Sequence, residues 1–269
     1  MKGFTAAVVL TAPLFVGAQQ QSSTRAGWPC GARLDTSYFQ VAEGTGGHLL
    51  LLAPEEISDS AVLLTSFSSH RQTIFRLAGS LNPGVHEFKV PIDSSIESAL
   101  FSISVQCLQV ADVIPPSGGF ASGEGVTDLS NFRAERMVIV TRPENGIWTI
   151  RVSGSGIAGV VVQARSAIGI AQVEFAPVQS GTFKATPAAG VGNAVRIRVR
   201  GEASEVQASL VNGGLQPIAR LPREASETTD WYISRFTPGT EGFRVLIVGK
   251  DAQGFAFQRM YAPLLAPMR

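Results

Sequence analysis

The chain has 269 residues, and its 22 lysines and arginines nearly cancel 21 aspartates and glutamates, leaving a net charge of +1. That balance excludes the overall positive field by which a protein gathers nucleic acid or anionic membrane. With 28 glycines, 15 prolines and short Val/Ile/Phe/Thr runs set between Gly, Pro, Ser and Asn clusters, the composition suits antiparallel sheets and excludes a helical bundle.

Lys2 followed by the apolar run from Phe4 to Val16, with small residues at Val16-Gly17-Ala18, has the order of a secretory signal peptide over residues 1–18. The run is too short for a membrane span, and no later stretch of about eighteen apolar residues occurs, so the mature chain is expected to carry no span. Secretion to the extracellular space or the periplasm follows as the expected localisation. The two cysteines, Cys30 and Cys107, are most simply one disulfide in that compartment, two free buried thiols being the alternative. A bridge closing so long a loop stabilises by about 4 kcal/mol in the chain-entropy account. Two cysteines cannot make a structural zinc site unaided.

Residues 19–30 are polar and loose in character. Leu34, Tyr38, Val41 and Ala42 have helical spacing over residues 32–43, and Gly44-Thr45-Gly46-Gly47 stops the helix. Residues 48–52 form a buried strand. Pro54-Glu55-Glu56 opens a second helix whose apolar side is Ile57, Leu63, Leu64 and Phe67. From His70 onward the period becomes two. Phe88, Val90 and Ile92 alternate with polar or turn residues, as do Phe101, Ile103 and Val105, then Trp148, Ile150 and Val152. Residues 137–141 and 159–163 are further strands, and Pro115 to Gly125 is a surface loop. A second β unit starts near Gly169. Its strands are expected around Val173 and Phe175, Val195 to Val199, residues 206–211 ending at Asn212-Gly213-Gly214, residues 231–236, residues 243–248 and Phe255 to Arg259. The fold class is therefore mainly β: two antiparallel β-sandwiches over residues 69–167 and 168–269, after a short helix–strand–helix segment over 19–68.

Three stretches carry a resemblance. Tyr38-x-x-Val41-Ala42-x-x-Thr45-Gly46-Gly47, preceded by Cys30, resembles the last helix and strand of a von Willebrand factor A domain. Val90-Pro91-Ile92-Asp93-Ser94-Ser95 and Gly146-x-Trp148-x-Ile150-x-Val152-x-Gly154 resemble the galactose-binding-like sandwich that follows that domain in hemicentins and in von Willebrand factor A domain-containing protein 7. Phe243-x-Val245-x-x-Val248-Gly249-x-Asp251-x-x-Gly254-x-x-Phe257-x-Arg259 is similar to the end of the Ig-like domain that comes next. The resemblance implies a galactose-binding-like jelly roll, then an Ig-like sandwich, and an extracellular adhesion or scaffold role. It implies no metal site. The Asp-x-Ser-x-Ser half of the A domain is missing, and neither Asp93-Ser94-Ser95-Ile96-Glu97 nor Asp35-Thr36-Ser37-Tyr38-Phe39 replaces it.

Catalytic chemistry is not expected. No Gly-x-Ser-x-Gly elbow occurs, and Ser153-Gly154-Ser155-Gly156 has the character of a tight turn after the Trp148 strand. His48, His70 and His86 lack the spacing of a metal motif and suit structural or surface roles. Glu55-Glu56 suits a helix start, Asp93 and Glu97 suit a turn, and Asp230 beside Trp231 is a minor candidate for a sugar-stacking cleft. No phosphate-binding loop occurs and no cofactor is expected. Arg196, Arg198 and Arg200 point the same way along one strand, with two readings: a basic stripe for an acidic polysaccharide, or a solvated face that discourages edge-to-edge aggregation. Trp148 suits the core, and Trp231 suits core and ligand face equally. The expected function is a secreted non-catalytic adhesion, scaffold or protein-interaction module, the alternative being a carbohydrate-binding protein. Its expected partner is an extracellular protein or matrix component, or a glycan, and not nucleic acid.

Overall fold

The computed structural model of the chain describes residues 7–11, 14–15, 30, 34–58, 60, 63, 67, 70–179, 181–224 and 231–268. The expected cleavage site Val16-Gly17-Ala18, Leu64, Asp230 and most of the stretch 19–30 lie outside the described residues.

A small sheet opens the fold, with strands in the order β2(Leu14–Phe15), β1(Ala7–Thr11), β3(His48–Leu51). Strand β1 falls inside the stretch with signal-peptide character, and it pairs antiparallel with β3 in the register Ala7 to Leu51 and Leu10 to His48. Helix α1(Thr36–Thr45) begins at Asp35, whose carboxylate accepts from the Ser37 amide at 2.9 Å. The sequence predicts a stop at Gly44. The helix runs on through Gly44 and Thr45, because the residue that must turn left-handed is Gly46, at φ 72°. A Cβ there would lie 2.7 Å from the Ala262 Cβ, so the helix ends where it passes the C-terminal segment. The predicted second helix opens as a 3-10 turn, Pro54–Glu56, in which Glu56 accepts from the Ala53 amide at 2.7 Å.

The first sandwich is built from β4(Gln72–Ile92), β5(Ile96–Val105), β6(Val110–Ile114), β7(Val126–Asn131), β8(Glu135–Thr141) and β9(Gly146–Ser166). Five strands run in the order β4-β9-β5-β8-β7, and β6 pairs with the first half of β9. The strands expected around Trp148 and around 159–163 are one strand of 21 residues, and Ser153-Gly154-Ser155-Gly156 is the bend within it, not a turn that ends it. Both β4 and β9 bend together, with a register shift between Leu81 and Gly84 opposite Gly154 and Gly156. Strand β4 stays paired with β9 on both sides of the bend, whereas the other edge of β9 takes β6 before it and β5 after it. The bend needs bare backbone, since a Cβ on Gly154 would meet the Cys107 carbonyl oxygen at 2.6 Å. Gly154→Ala is expected to cost about 1–3 kcal/mol, measured by urea unfolding, because the obstacle is main chain and cannot swing aside.

The second sandwich follows with β10(Gly169–Pro177), β11(Asn193–Arg200), β12(Ala203–Val211), β13(Pro217–Leu221), β14(Trp231–Phe236), β15(Arg244–Asp251) and β16(Ala256–Met260). Its sheets have the orders β10-β11-β14 and β13-β12-β15-β16. These are seven strands in two antiparallel layers, with the fourth strand, β13, joined to β12. Mainly β architecture with antiparallel sheets is as the period-two pattern predicts.

The two largest apolar clusters divide between Ala164 and Ile168. One core gathers Phe101, Ile150, Val160 and Trp148, whose ring stacks on Phe101 with centroids 5.5 Å apart. The other gathers Val195, Ile197, Val245 and an edge-on trio of Phe175, Phe236 and Phe243. Cys30 and Cys107 form the expected disulfide.

Buried charge ties these pieces together. The Glu43 carboxylate on α1 bonds Arg76 of β4 at 2.8 Å through one oxygen and Arg244 of β15 through the other. All three side chains are nearly or wholly buried. Arg76 also donates to the carbonyls of Ala42, Gly46 and Gly47, and Arg244 to that of Ala262. Some distance away, Arg259 of β16 pairs with Asp93 at 2.8 Å, both fully buried, and donates to Ser166 Oγ and the Ile168 carbonyl. Asp251 accepts from the Ser94 amide and hydroxyl. Burial works against the charge on Asp251, but the bonds from Ser94, Phe255 and Gln253 outweigh it and hold the carboxyl below its ordinary range. Expected to flank a turn, Asp93 does accept from the Ser95 amide, and it anchors the second sandwich as well.

Candidate functional site

Two clusters have the residue types from which sites are made. The first lies beneath α1, between the small sheet and the outer face of β5, β8 and β9. His48 is buried there with its ring 4.1 Å from that of Phe67. Gln163 approaches it, but neither ring nitrogen makes a hydrogen bond of normal geometry. Burial first, and the nearby Arg76 charge second, push its pKa down to about 3. His48, Ser102, Glu43 and Arg76 line one cavity of about 10 Å³, the space of a single water. Behind it Glu135 is wholly buried, accepting from Ser102 Oγ at 3.3 Å with its second oxygen unpartnered. Burial drives its pKa well above the ordinary carboxylate value, against the opposing bonds from Ser104 and Ser102.

A serine, a histidine and a carboxylate with shifted pKa values are the usual ingredients of a hydrolytic site. Here they are packed into a space too small for a substrate, under a helix closed by buried ion pairs. What the cluster does is store a pH-dependent cost. Folding favours the protonated form of Glu135, so stability falls as the pH rises above about 4.5, where the unfolded chain gives up that proton. Glu135→Gln keeps the shape without the charge. It is expected to raise stability at pH 8, by about 1.4 kcal/mol for each unit of the native upward shift. Urea midpoints at pH 8 and pH 4 would check this, the difference between variant and parent shrinking at the lower pH.

The second cluster is on the solvent face of β11. Arg196 contacts the rings of Phe183 at 3.9 Å and Trp231 at 4.9 Å, while Glu174 takes up its charge at 2.5 Å. Arg198 lies over the same indole at 6.0 Å. Arg200 donates to the Ser166 carbonyl at 3.4 Å. The three arginines and Trp231 therefore share one face, and β11 is the middle strand of its sheet, so the arginines protect no sheet edge. Trp148 is core, its indole N–H donating to the Glu144 carbonyl at 2.8 Å. Of the other candidates, His86 bonds the Asn82 carbonyl at 2.8 Å, and Glu55 pairs with Arg133 at 3.2 Å on the surface. Among the described residues no three His, Cys, Asp or Glu side chains gather to hold a metal ion, and no helix is long and apolar enough to cross a membrane.

Sequence reasoning passed over Glu43, Arg76, Arg244 and Glu135. A signal was present for Arg76, a lone charge inside Thr73-Ile74-Phe75-Arg76-Leu77-Ala78.

The chain is similar to a stretch of hemicentin-1. It is 25% identical to the mouse protein (Mus musculus) over 236 residues and 23% identical to the human one (Homo sapiens) over 235, covering 83% of this chain in each case. The chain spans 4% of the length of these relatives, so the likeness is to one region of a far larger protein. No family model matches the sequence. Among solved structures, a DUF4785 family protein from Legionella pneumophila aligns over 76% of this chain and 67% of its own, at 13% identity and a TM-score of 0.43. The propeptide form of a Bacillus licheniformis lipase aligns over 72% of this chain and 41% of its own, at 13% identity and a TM-score of 0.35. Both scores are too low to bear on activity.

Proposed function

We propose that this chain is a secreted, non-catalytic adhesion or scaffold module. In this reading residues 1–18 are the leader, 19–68 the remnant of a von Willebrand factor A-like α/β domain, 69–167 a galactose-binding-like sandwich and 168–269 an Ig-like sandwich. The observation that carries it is the use made of buried charge. Glu43, Arg76 and Arg244 join the remnant to both sandwiches, and Asp93 with Arg259 joins the sandwiches again. Burying five charges is costly unless geometry repays it, and what they hold is relative orientation. A protein that turned over a small substrate would instead spend its polar groups on lining an accessible cleft. The region-long similarity to hemicentin-1 supports the same reading, as does the seven-strand layout of the second unit.

The partner is an extracellular protein or matrix component. Expression of the full chain in an exporting host, followed by solid-phase binding of the purified product to matrix proteins and polysaccharides, tests the proposal. Saturable binding without turnover of ester, peptide or glycoside substrates is the expected result. A hydrolytic activity abolished by one substitution, such as Ser102→Ala, would overturn it.

A carbohydrate-binding role is the second reading, favoured by the part-exposed Trp231. Because two guanidinium groups already lie over that ring, stacking of a neutral sugar is disfavoured.

A further inference from the structure

The arginine face of β11 does not stop at the second sandwich. Arg200 reaches back to the Ser166 carbonyl, at the end of β9 in the first. The residue before Ser166 is Arg165, exposed and opposite Ser98 in the β5–β9 register. The Ser98 hydroxyl in turn accepts from Arg71 Nη1 at 3.4 Å. Burial, and then the Arg165 charge, lower the proton affinity of Arg71, so these two cations stand close enough to feel each other. Arg71 and Arg165 therefore stand near each other on the first sandwich, Arg198, Arg200 and the Phe183–Arg196–Trp231 stack lie on the second, and the bond from Arg200 to the Ser166 carbonyl spans the two. It crosses from one sandwich to the other at the seam that Asp93 and Arg259 hold rigid.

Along β11 the arginines are two residues apart and so about 6.6–6.8 Å apart on the strand. Their charges are unequal in availability. Glu174 is occupied by Arg196, whereas no carboxylate among the described residues bonds Arg165, Arg198 or Arg200. Cations this close repel one another, and an anion laid along them relieves the repulsion.

We propose that Arg71, Arg165, Arg198 and Arg200 form a binding track for an extended sulfated polysaccharide, which lies across the seam between the two sandwiches. The choice of ligand source rests on the extracellular reading above; the track itself rests on side-chain placement alone. Nucleic acid fits less well, since single strands need open aromatic faces on which bases can stack, and those of Trp231 and Phe183 are covered by guanidinium. A net charge of +1 also gives no general field to draw in a duplex. Only a ligand that follows the local run of cations gains from this arrangement. Arg196, paired with Glu174 and stacked between Phe183 and Trp231, acts as a spacer in the row.

Heparin is the probe. Binding of the full chain to immobilised heparin would be measured at 0.15 M salt, beside the triple variant R165A/R198A/R200A and a control, R133A/R220A, which removes two arginines from other surfaces. Thermal melts establish that all three proteins are folded. The expected result is at least a tenfold loss of affinity in the triple variant, less than a twofold change in the control, and weak competition by single-stranded DNA of equal charge. Equal losses in both variants would overturn the track, as would a parent that does not bind heparin. Competition by DNA as strong as by heparin would overturn the choice of ligand. None of these failures touches the scaffold reading, which the matrix-protein binding and turnover assays decide separately.

Discussion

Glu43→Gln is expected to lower the unfolding free energy by about 3–5 kcal/mol, a large part of the 5–15 kcal/mol that a domain usually has. The carboxylate is 6% exposed and bonds two arginines whose side chains are 2% and 0% exposed. Glutamine can replace a hydrogen bond but not the charge, so Arg76 and Arg244 would remain in the interior as two cations with no anion between them. The loss comes from stranding charge and not from losing a favourable bond, and a second variant separates the two. Replacing Glu43, Arg76 and Arg244 together by methionine removes all three charges, so it is expected to recover most of the lost stability. Urea unfolding of both variants checks the pair of expectations. A cost below about 1 kcal/mol for Glu43→Gln would mean that water reaches the triad.

Acid is expected to act through His48. In the unfolded chain this imidazole takes a proton at about pH 6.5, whereas in the fold it waits until about 3, because burial and the Arg76 charge oppose a second cation. The group therefore lends its full stability above pH 6.5 and loses it progressively as the pH falls towards 3. About 3.5 units at 1.36 kcal/mol each is of the order of 5 kcal/mol over that window. Glu135 works in the opposite sense, since its penalty is relieved on acidification towards 4.5. Curves of stability against pH are thus needed for the parent, His48→Phe and Glu135→Gln. The His48→Phe curve should fall less between pH 6.5 and 3.5 than the parent curve, with phenylalanine filling a similar volume beside Phe67. Parallel curves would place His48 in contact with solvent.

The alternation of Phe88, Val90 and Ile92, or of Trp148, Ile150 and Val152, was legible because a half-buried antiparallel strand stamps period two on its sequence. The Cys30–Cys107 bridge was legible from number alone. What the pattern hid was continuity. A glycine-rich bend such as Ser153-Gly154-Ser155-Gly156 has the composition of a turn, and only the carbonyl of Cys107 pressing on Gly154 explains why the glycines are there. Strands β6, β7 and β13 were missed for a related reason. Their alternation is short, or it is broken by charged residues such as Asp112, Asp128 and Arg220 that face solvent or bond across the sheet. The junction charges were invisible because each partner is distant in sequence. Glu43 and Arg244 are 201 residues apart, and a glutamate on a short helix has no local mark that distinguishes it from a solvated one. The period of two puts Arg196, Arg198 and Arg200 on one face of β11, but nothing local in the sequence relates them to Ser166, whose carbonyl Arg200 reaches across to the first sandwich.

Charges buried between them are expected to make the α1 segment and the two sandwiches unfold as one unit. Differential scanning calorimetry of the full chain at pH 7 tests this most directly. One transition is predicted, with calorimetric and van't Hoff enthalpies equal, and Glu43→Gln should move the whole of it to lower temperature. Two resolved transitions, with the substitution shifting only one of them, would contradict the account and return the sandwiches to independence.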